Sequence, residues 1–264
     1  MSVNRIAVVT VLALIAMVVA SCAASPTGRS QFITVSDSEV NRMGGQAYQQ
    51  IKAETPMSTD RRKIDMVQCI TEAIVMELDE PHAPEAWEVT LFADDSVNAF
   101  ALPGGYIGIF EGLLKVAEDQ HQLAAVIGHE IAHVTARHAA ERVSRHQSTG
   151  FAVNVLGGAS GSQQTAALLG LGAQVGLLLP FNRTQESEAD VLGLDYMARA
   201  GFDPNGSVKL WRNMQEASGS GGPPEFMSTH PSGDRRIRDL TNRIPAAMEL
   251  YREAQAAGRD PGCG

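Results

Sequence analysis

The chain has 264 residues and a net charge of −9, and 44% of its residues are hydrophobic while 19% are charged. This balance indicates a globular protein and argues against intrinsic disorder. An acidic chain repels phosphate backbones, and no cluster of lysine and arginine offsets its charge, so we expect no nucleic-acid partner.

The first 21 residues predict a targeting segment rather than part of the fold. Arg5 provides a positive start, and residues 6–20 form an apolar run that is too short to span a bilayer comfortably. The run leads into Val-Val-Ala-Ser-Cys at residues 18–22, which resembles a bacterial lipobox. We therefore expect residues 1–21 to be a lipoprotein-type signal peptide and Cys22 to carry a lipid anchor. The alternative is cleavage after Ala23 or Ala24, with Cys22 incidental.

The residues around Cys22 also predict the membrane to which the protein is sorted and the start of its folded domain. The residue after Cys22 is Ala23 rather than aspartate, which by analogy with bacterial lipoproteins favours the periplasmic side of the outer membrane. Residues 22–30 are small and polar and predict a tether, and residues 31–264 predict one domain.

Turn and cap signals divide the rest of the chain into mostly helical elements. We predict strands over residues 31–35, 87–92, 98–102 and 106–110 and helices over residues 36–52, 60–78, 112–117, 119–145, 183–199, 204–217 and 234–242, with a last helix opened by Pro245. Pro103 and the two glycines after it predict a sharp turn near a sheet edge. The fold class is therefore α+β, mainly helical, with a small edge-exposed β-sheet.

Residues 147–179 are rich in glycine, alanine and leucine but contain no uninterrupted apolar run of membrane-spanning length. We expect a helical hairpin that covers the functional site, and the alternative is a segment that dips into a membrane surface. The two remaining cysteines, Cys69 and Cys263, form a disulfide in an oxidising periplasm or stay as two thiols, and the sequence leaves both possibilities open.

The strongest chemical signal is the segment His129-Glu-Ile-Ala-His133, which lies in an apolar helical pattern. Histidines four residues apart project from one face of a helix, so both imidazoles can bind one metal ion. Glu130 lies between them, near the position from which a general base takes a proton from metal-bound water. A buried helix that carries these three residues by chance is the less favoured explanation, since charged groups inside an apolar stripe need a reason.

A catalytic zinc ion usually has three protein ligands, so a third is needed. A third histidine ten residues after the first is absent, because that position is Ala139, and His138 is expected to face away from the other two and to lie at the surface or cap a helix. The better candidate is Glu186, which shares a helix face with Asp190, so that Asp190 can hydrogen-bond a ligand histidine from behind. Glu188 is the fallback ligand, and a solvated acidic helix start is the plain alternative.

Three motifs together resemble one family. His129-Glu-Ile-Ala-His133, Glu186-x-x-Ala-Asp190 and the Asn-Ala-Phe-Ala-Leu-Pro-Gly-Gly segment at residues 98–105 are similar to the gluzincin metallopeptidases that include HtpX and the CAAX prenyl endopeptidases. The similarity is greatest to the periplasmic lipoprotein branch, such as LoiP and BepA. The resemblance implies that residues 31–264 are a zinc metalloendopeptidase domain with a minigluzincin-like fold. It also implies one Zn²⁺ per chain, with Glu186 as the third ligand and Glu130 as the base.

The resemblance further suggests how substrate is held. Asn98, Ala99, Phe100 and Ala101 are expected to form an edge strand beside the cleft, to which an extended peptide adds by backbone pairing; a turn role is the alternative for Asn98. His230 and Arg236 are candidate donors to the tetrahedral intermediate. His230 could instead occupy the open zinc position until substrate displaces it, or only cap a helix.

These expectations make the protein a zinc-dependent endopeptidase of cell-envelope proteins, acting in quality control on unfolded or misassembled polypeptides. Two other classes stay open. The protein could act mainly as a chaperone-like binding factor for outer-membrane proteins, with proteolysis secondary. It could also hold a closed structural zinc site without turnover.

Overall fold

The computed structural model describes residues 22–78, 83–157, 181–218, 224–230 and 234–264. Its strands form an antiparallel hairpin and a three-stranded sheet. The hairpin pairs β1 (Cys22–Ala24) with β2 (Ser30–Phe32), and the sheet contains β3 (Glu88–Phe92), β4 (Ala99–Leu102) and β5 (Tyr106–Phe110). The sheet order is β3-β5-β4, with β3 parallel and β4 antiparallel to β5, so β4 lies at an edge as predicted.

Helices make up most of the described chain, which confirms the predicted mainly helical α+β class. They are α1 (Asp37–Glu54), α2 (Arg61–Val75), α3 (Gln120–Thr135), α4 (His138–Gly157), α5 (Arg183–Arg199), α6 (Asn205–Ala217), α7 (Glu225–Thr229) and α8 (Asp234–Ala256), with a 3₁₀ turn at Leu113–Lys115. Within the described ranges, no helix is both long and apolar enough to cross a membrane.

Side-chain caps fix where several helices begin. Ser36 and Asp60 accept hydrogen bonds from the first turns of α1 and α2, and Asp119 does the same for α3. Asn182 forms a full capping box with Gln185 at the start of α5. Such caps satisfy backbone N–H groups that have no partner inside the helix, so the local sequence determines these starts.

The helix α3 forms the centre of the fold, because every residue from Gln122 to Thr135 is buried. It packs against α2, α5, α6 and the edge strand β4. The main hydrophobic core surrounds it and includes Leu123, Ile127, Ile131, Leu194 and Phe202. A helix that carries polar groups through such a core must satisfy them internally.

Two helix predictions and the predicted tether were wrong. The helix predicted over residues 119–145 is two helices, because the chain turns at Ala136 and Arg137, and Arg137 has a φ of 56°. The helices predicted on either side of Pro245 are one helix, α8, with the proline inside it. Residues 22–30 do not form a free tether, because β1 and β2 pair and Ser25 is buried.

The structure describes the two cysteines completely but the predicted helical hairpin only in part. Cys69 and Cys263 form a disulfide, which joins the C-terminal tail to α2. The helical hairpin predicted over residues 147–179 is described only up to Gly157, where α4 ends, and residues 158–180 lie outside the described part of the chain. The predicted signal peptide, residues 1–21, lies outside it as well.

Candidate metal centre

Four buried side chains from three parts of the chain meet at one point. His129 and His133 come from α3, Glu186 from the first turn of α5, and His230 follows α7 directly. Each offers one ligand atom, and these four atoms lie within 4.8 Å of one another. His129 Nε2 and His133 Nε2 are 3.1 Å apart, and Glu186 lies 3.5 Å and 3.4 Å from them. The structure brings together the three residues proposed as ligands from the sequence, with His230, the candidate for the open position, beside them.

A close crossing of α3 and α5 makes this convergence possible. Gly128 and Gly193 face each other at the contact, and a Cβ atom placed on Gly193 would lie 2.7 Å from the backbone nitrogen of His129. No side chain fits there, so the backbones approach more closely than ordinary helix packing permits. Glu186, nearly two turns before Gly193 on α5, is thereby brought to the histidine face of α3.

Asp190 and Arg236 lie behind the ligands. Asp190 Oδ1 is 3.1 Å from His129 Nδ1, the position predicted for a residue that orients a ligand histidine. Arg236 donates to Asp190 at 3.0 Å and to Glu186 Oε2 at 2.8 Å, and its guanidinium group stacks on Trp211 at 3.7 Å. The structure therefore places Arg236 among the supporting carboxylates.

Glu130 and the predicted substrate strand are in direct contact. Glu130 Oε2 accepts a hydrogen bond from the backbone N–H of Ala101 at 3.0 Å, and Glu130 Oε1 lies 3.3 Å from His230 Nε2. The Asn98 side chain accepts from the N–H of Ala99 at the start of β4. The candidate base thus lies between the ligand cluster and the edge strand. The Phe100 side chain of the same strand packs against the rings of Phe92 and Phe110.

His230 is held flat between two aromatic rings. It stacks on Phe226 at a ring distance of 4.4 Å and on Phe181 at 5.1 Å. Its Nδ1 lies 3.2 Å from His129 Nε2 and 3.1 Å from Glu186 Oε1. Its backbone also ends α7, since its N–H donates to the carbonyl of Phe226.

The prediction for His138 was wrong. His138 is fully buried, and its Nδ1 lies 2.8 Å from His133 Nδ1 while its Nε2 lies 3.1 Å from Glu188 Oε2. The prediction extended one regular helix past His133, but the break at Arg137 turns His138 back toward the site. Glu188, the fallback ligand, contacts His138 and lies outside the four-ligand cluster.

Sequence reasoning also missed the residues that bind Glu188. Ser25, Thr27 and Arg29, in the loop between β1 and β2, all donate hydrogen bonds to its carboxylate. They are about 160 positions away in the chain, and a short polar segment carries no signal of such a contact. The one available hint was an arginine inside an otherwise small and polar stretch.

Burial governs the electrostatics of the cluster. It raises the pKa of Glu130 and lowers the pKa of His133 well below its usual range. Burial and Arg236 oppose protonation of His129, but hydrogen bonds to Asp190 and Glu186 outweigh them and raise its pKa to about 9. Burial also opposes ionisation of Glu186, yet the charge of His230 and the hydrogen bonds from the other histidines hold its pKa well below its usual range.

The donor set and its charges fit a zinc ion. Imidazole nitrogens and a carboxylate oxygen are the usual ligands of catalytic zinc. The pKa of Glu186 is lowered although the side chain is buried, so its carboxylate gives the cluster a negative charge that attracts a cation. Each of the two α3 histidines also has an acceptor on its second ring nitrogen, as metal-binding histidines almost always do.

Comparison with known proteins identifies the family. Residues 61–244 match the family model described as Peptidase family M48. The chain belongs to peptidase family M48. This family uses zinc, and the cluster of His129, His133, Glu186 and His230 can hold the ion.

Individual relatives within family M48 are similar over most of this chain. The mitochondrial metalloendopeptidase OMA1 of Schizosaccharomyces pombe is 41% identical over 61% of this chain and 48% of its own length. The bovine mitochondrial metalloendopeptidase OMA1 is 31% identical over 89% of this chain and 49% of its own. The beta-barrel assembly-enhancing protease of Yersinia pestis is 31% identical over 82% of this chain and 46% of its own length. The chain thus spans about half the length of these relatives.

Proposed function

We propose that this chain is a zinc-dependent endopeptidase whose zinc ion is held by His129, His133 and Glu186. The observation that carries the proposal is the convergence of two α3 imidazoles and the buried α5 carboxylate of Glu186 beside a second buried carboxylate, Glu130. Relatives named metalloendopeptidases support the same activity.

The chemistry is hydrolysis of a peptide bond by water. When bound, zinc supplies a Lewis acid that polarises the peptide carbonyl and acidifies water. Glu130 takes a proton from the attacking water and delivers it to the leaving amine, so the peptide gains one water in total. Burial raises the proton affinity of Glu130, which brings a carboxylate closer to the proton affinity that this transfer needs.

The position of His230 supports a blocking role. Its ring reaches the ligand cluster and its Nε2 lies next to Glu130, which is where substrate and water must bind. Phe181 and Phe226 hold the ring in that place. We therefore propose that His230 fills the open zinc position until a substrate displaces it. A donor role toward the tetrahedral intermediate and a purely structural cap are the alternatives.

We propose that substrate binds in a cavity next to the edge strand. A cavity of about 510 Å³ is lined by Ala101 of β4, His133, Tyr106, Phe181 and Arg142, among others. An extended peptide that adds to β4 would cross this cavity and bring its carbonyl close to Glu130. Backbone pairing along residues 98–101 would give broad sequence specificity. We propose that Arg236 supports Glu186 rather than contacting substrate, because its donors are occupied by carboxylates.

The substrates that we propose are unfolded or misassembled polypeptides of the cell envelope, removed for quality control. The N-terminal lipobox supports a periplasmic location with a lipid on Cys22 that anchors the protein to the outer membrane. One relative is named a beta-barrel assembly-enhancing protease, which points to outer-membrane proteins. The relatives named OMA1 are mitochondrial, so the location of this chain rests on its own N-terminal motif.

Replacing Glu130 by glutamine tests the activity. We expect Glu130→Gln to keep the fold and about one zinc ion per chain but to lose casein cleavage by at least about 100-fold, because the base is gone. The matched control is Glu118→Gln, at an exposed residue just before α3, which should cleave normally. Cleavage by the wild-type protein should stop with a chelator and return with zinc. Casein cleavage that survives in Glu130→Gln would refute the proposed mechanism.

Replacing His230 by alanine separates its three roles. Faster casein cleavage supports the block, slower cleavage supports a donor, and unchanged cleavage supports the cap; the proposal predicts the first. His146→Ala, at an exposed histidine of α4, is the control. A structural zinc site with four permanent ligands predicts instead that His230→Ala loses zinc and that no variant cleaves casein.

The chaperone-like alternative is tested in cells. If the Glu130→Gln protein restores the phenotype of a deletion strain as well as the wild-type protein does, binding is the primary role. If it fails while being present at the wild-type level, proteolysis is primary. The second result is the one that we expect.

A further inference from the structure

The two α3 histidines are supported in different ways. His129 Nδ1 contacts the Asp190 carboxylate directly at 3.1 Å. His133 Nδ1 contacts another imidazole, His138 Nδ1, at 2.8 Å, and His138 Nε2 lies 3.1 Å from Glu188. His133, His138 and Glu188 therefore form a series of three side chains linked by hydrogen bonds.

Hydrogen-bond chemistry fixes the protons in this chain. A histidine that binds a metal through Nε2 carries its proton on Nδ1. His133 must then donate from Nδ1, so His138 accepts at Nδ1 and carries its own proton on Nε2. That proton is donated to Glu188. Each of the two hydrogen bonds then has one donor and one acceptor, and this arrangement orients the ring of His133.

The far end of the chain lies in the hairpin loop, which we define as residues 25–29 between β1 and β2. Ser25 and Thr27 donate their hydroxyl protons to Glu188 Oε1, and Arg29 Nε donates to Glu188 Oε2 at 2.7 Å. The other two nitrogens of Arg29 bind Glu141 at 3.0 Å and 2.9 Å. Arg29 thus joins two acidic side chains of different helices, α4 and α5.

We propose that His138 and Glu188 are positioning residues for the metal ligand His133, and that the hairpin loop holds them in place through Arg29, Ser25 and Thr27. The proposal rests on the proposed function only in taking His133 as a zinc ligand. Because Glu188 is fixed on both of its oxygens, it cannot rotate away from His138, and His138 cannot rotate away from His133. The segment that directly follows Cys22 is thereby part of the support of the metal centre.

The first experiment compares His138→Phe, His138→Gln and the control His146→Phe by zinc affinity, measured by competition with a chromogenic chelator. Loss of an outer hydrogen-bond partner typically weakens a metal site by about 10- to 100-fold, and we expect that loss in His138→Phe. Glutamine can accept from His133 or donate to Glu188, so His138→Gln should bind zinc more tightly than His138→Phe. His146 is exposed, and His146→Phe should match the wild-type protein.

A spectroscopic measurement separates orientation from general damage. In the cobalt-substituted protein we expect the visible absorption bands of His138→Phe to shift, because the ligand ring is free to turn, and those of His146→Phe to stay unchanged. Thermal unfolding of the metal-free proteins records any loss of the fold itself. Wild-type zinc affinity and an unchanged cobalt spectrum in a folded His138→Phe protein would overturn the proposal.

The second experiment tests the hairpin loop from a distance. We expect Arg29→Met and Thr27→Val to weaken zinc binding by about three- to tenfold, since Glu188 keeps its other donors. Arg145→Met is the matched control, because Arg145 binds Glu141 within α4, whereas Arg29 binds both Glu141 and Glu188. Thr27 is exposed and Arg29 half-buried, so we expect these variants to fold, and they decide the question even if His138→Phe does not fold. If Arg29→Met and Thr27→Val both bind zinc as tightly as the wild-type protein, the hairpin loop does not support the metal centre.

The outcome is independent of the peptidase assay. If the wild-type protein binds zinc at this site but does not cleave casein, the proposed function fails while the affinity series still tests the positioning chain. If the wild-type protein cleaves casein and all of the variants bind zinc as tightly, only the positioning proposal fails.

Discussion

Arg236 is a buried cation that binds two of the carboxylates around the ligand cluster. Its guanidinium group binds Asp190 and Glu186 and stacks on Trp211, and the side chain is almost fully buried. Two carboxylates in a buried place need a cation, because an unpaired buried charge is costly. In the zinc-loaded protein the metal ion shares this task.

Replacing Arg236 by leucine should therefore destabilise the metal-free protein strongly. We expect the free energy of unfolding to fall by about 3–5 kcal/mol, measured by urea denaturation in the presence of a chelator. Arg235→Leu is the control, since the ion pair of Arg235 with Asp239 is exposed and should contribute less than about 1 kcal/mol. A loss in Arg236→Leu as small as that of the control would show that Arg236 does not balance the charges of Asp190 and Glu186.

At this scale, sequence reasoning succeeds where the relevant distance is short along the chain. The four-residue spacing of His129 and His133 follows from helix geometry, and so does the shared face of Glu186 and Asp190. The role of His138 could not be predicted, because an arginine with a positive φ gives no warning that the helix ends there.

At the scale of elements, the crossing of α3 and α5 decides whether the ligands meet. The contact of Gly128 with Gly193 lets the backbones touch, and a methyl group on Gly193 would lie 2.7–2.8 Å from backbone atoms of Gly128 and His129. Backbone atoms of two packed helices cannot move aside as a flexible side chain can.

Replacing Gly193 by alanine should push the two helices apart. We expect a loss of about 1–3 kcal/mol in the free energy of unfolding and weaker zinc binding, because Glu186 moves away from the histidines. The measurements are urea denaturation and chelator competition. Gly45→Ala is the control, because there the added methyl group meets only the side chain of Tyr106, at 3.3 Å. If Gly193→Ala and Gly45→Ala have the same unfolding free energy and the same zinc affinity, the close crossing of α3 and α5 does not determine the position of Glu186.

The β1–β2 hairpin contributes to stability through charges, and this contribution depends on pH. Burial opposes ionisation of Glu141, but hydrogen bonds from Arg29 and Gln185 outweigh it and lower its pKa. The pKa of Glu188 is also lowered, since donors that include His138 and Arg29 outweigh burial. A carboxyl group with a lowered pKa in the folded state stabilises the fold above its unfolded pKa, and this contribution is lost as the pH falls through the folded value.

The difference in unfolding free energy between the wild-type protein and Arg29→Met should follow that rule. We expect a constant advantage for the wild-type protein above about pH 5 and a shrinking one as the pH falls below about 4.3, the ordinary glutamate value. Urea denaturation of both proteins from pH 3 to pH 7 measures it. An advantage that stays constant or grows toward pH 3 would contradict the assigned ion pairs.

Helix starts that depend on neighbouring residues were predictable from the sequence, whereas features that depend on packing between distant elements were not. The starts of α1, α2, α3 and α5 follow from caps that are present in the sequence, and they were predicted within about two residues. The continuation of α8 through Pro245 was not predicted, because packing against α5 and α6 outweighs the loss of one backbone hydrogen bond. The pairing of β1 with β2 depends on contacts with α4 and α5, which no local pattern contains.

At the scale of the whole molecule, both ends of the described chain are joined to the helical core. The hairpin loop binds Glu141 and Glu188, and the C-terminal tail is bonded to α2 through Cys69 and Cys263. The N–H of Cys263 also donates to Gln120 at the start of α3. The mainly helical α+β class was predictable from periodicity, whereas these long-range links were not.

Removing the disulfide should lower stability without affecting the metal ligands. A bond that closes a loop of this length restricts the unfolded chain, and we expect Cys263→Ser to lose about 2–5 kcal/mol of unfolding free energy. Adding a reductant should lower the stability of the wild-type protein to the same level and leave Cys263→Ser unchanged. If reductant breaks the disulfide completely and the free energy of unfolding of the wild-type protein does not change, the disulfide contributes little to stability.

The proposed peptidase activity requires one metal ion bound by two imidazoles of α3 and the carboxylate of α5. Anomalous diffraction at the zinc absorption edge, from crystals of the zinc-loaded protein, tests this directly. We predict a single strong peak about 2.0–2.2 Å from His129 Nε2, His133 Nε2 and an oxygen of Glu186. A zinc peak that is bonded to Glu188, or that lies beyond bonding distance of Glu186, would contradict it.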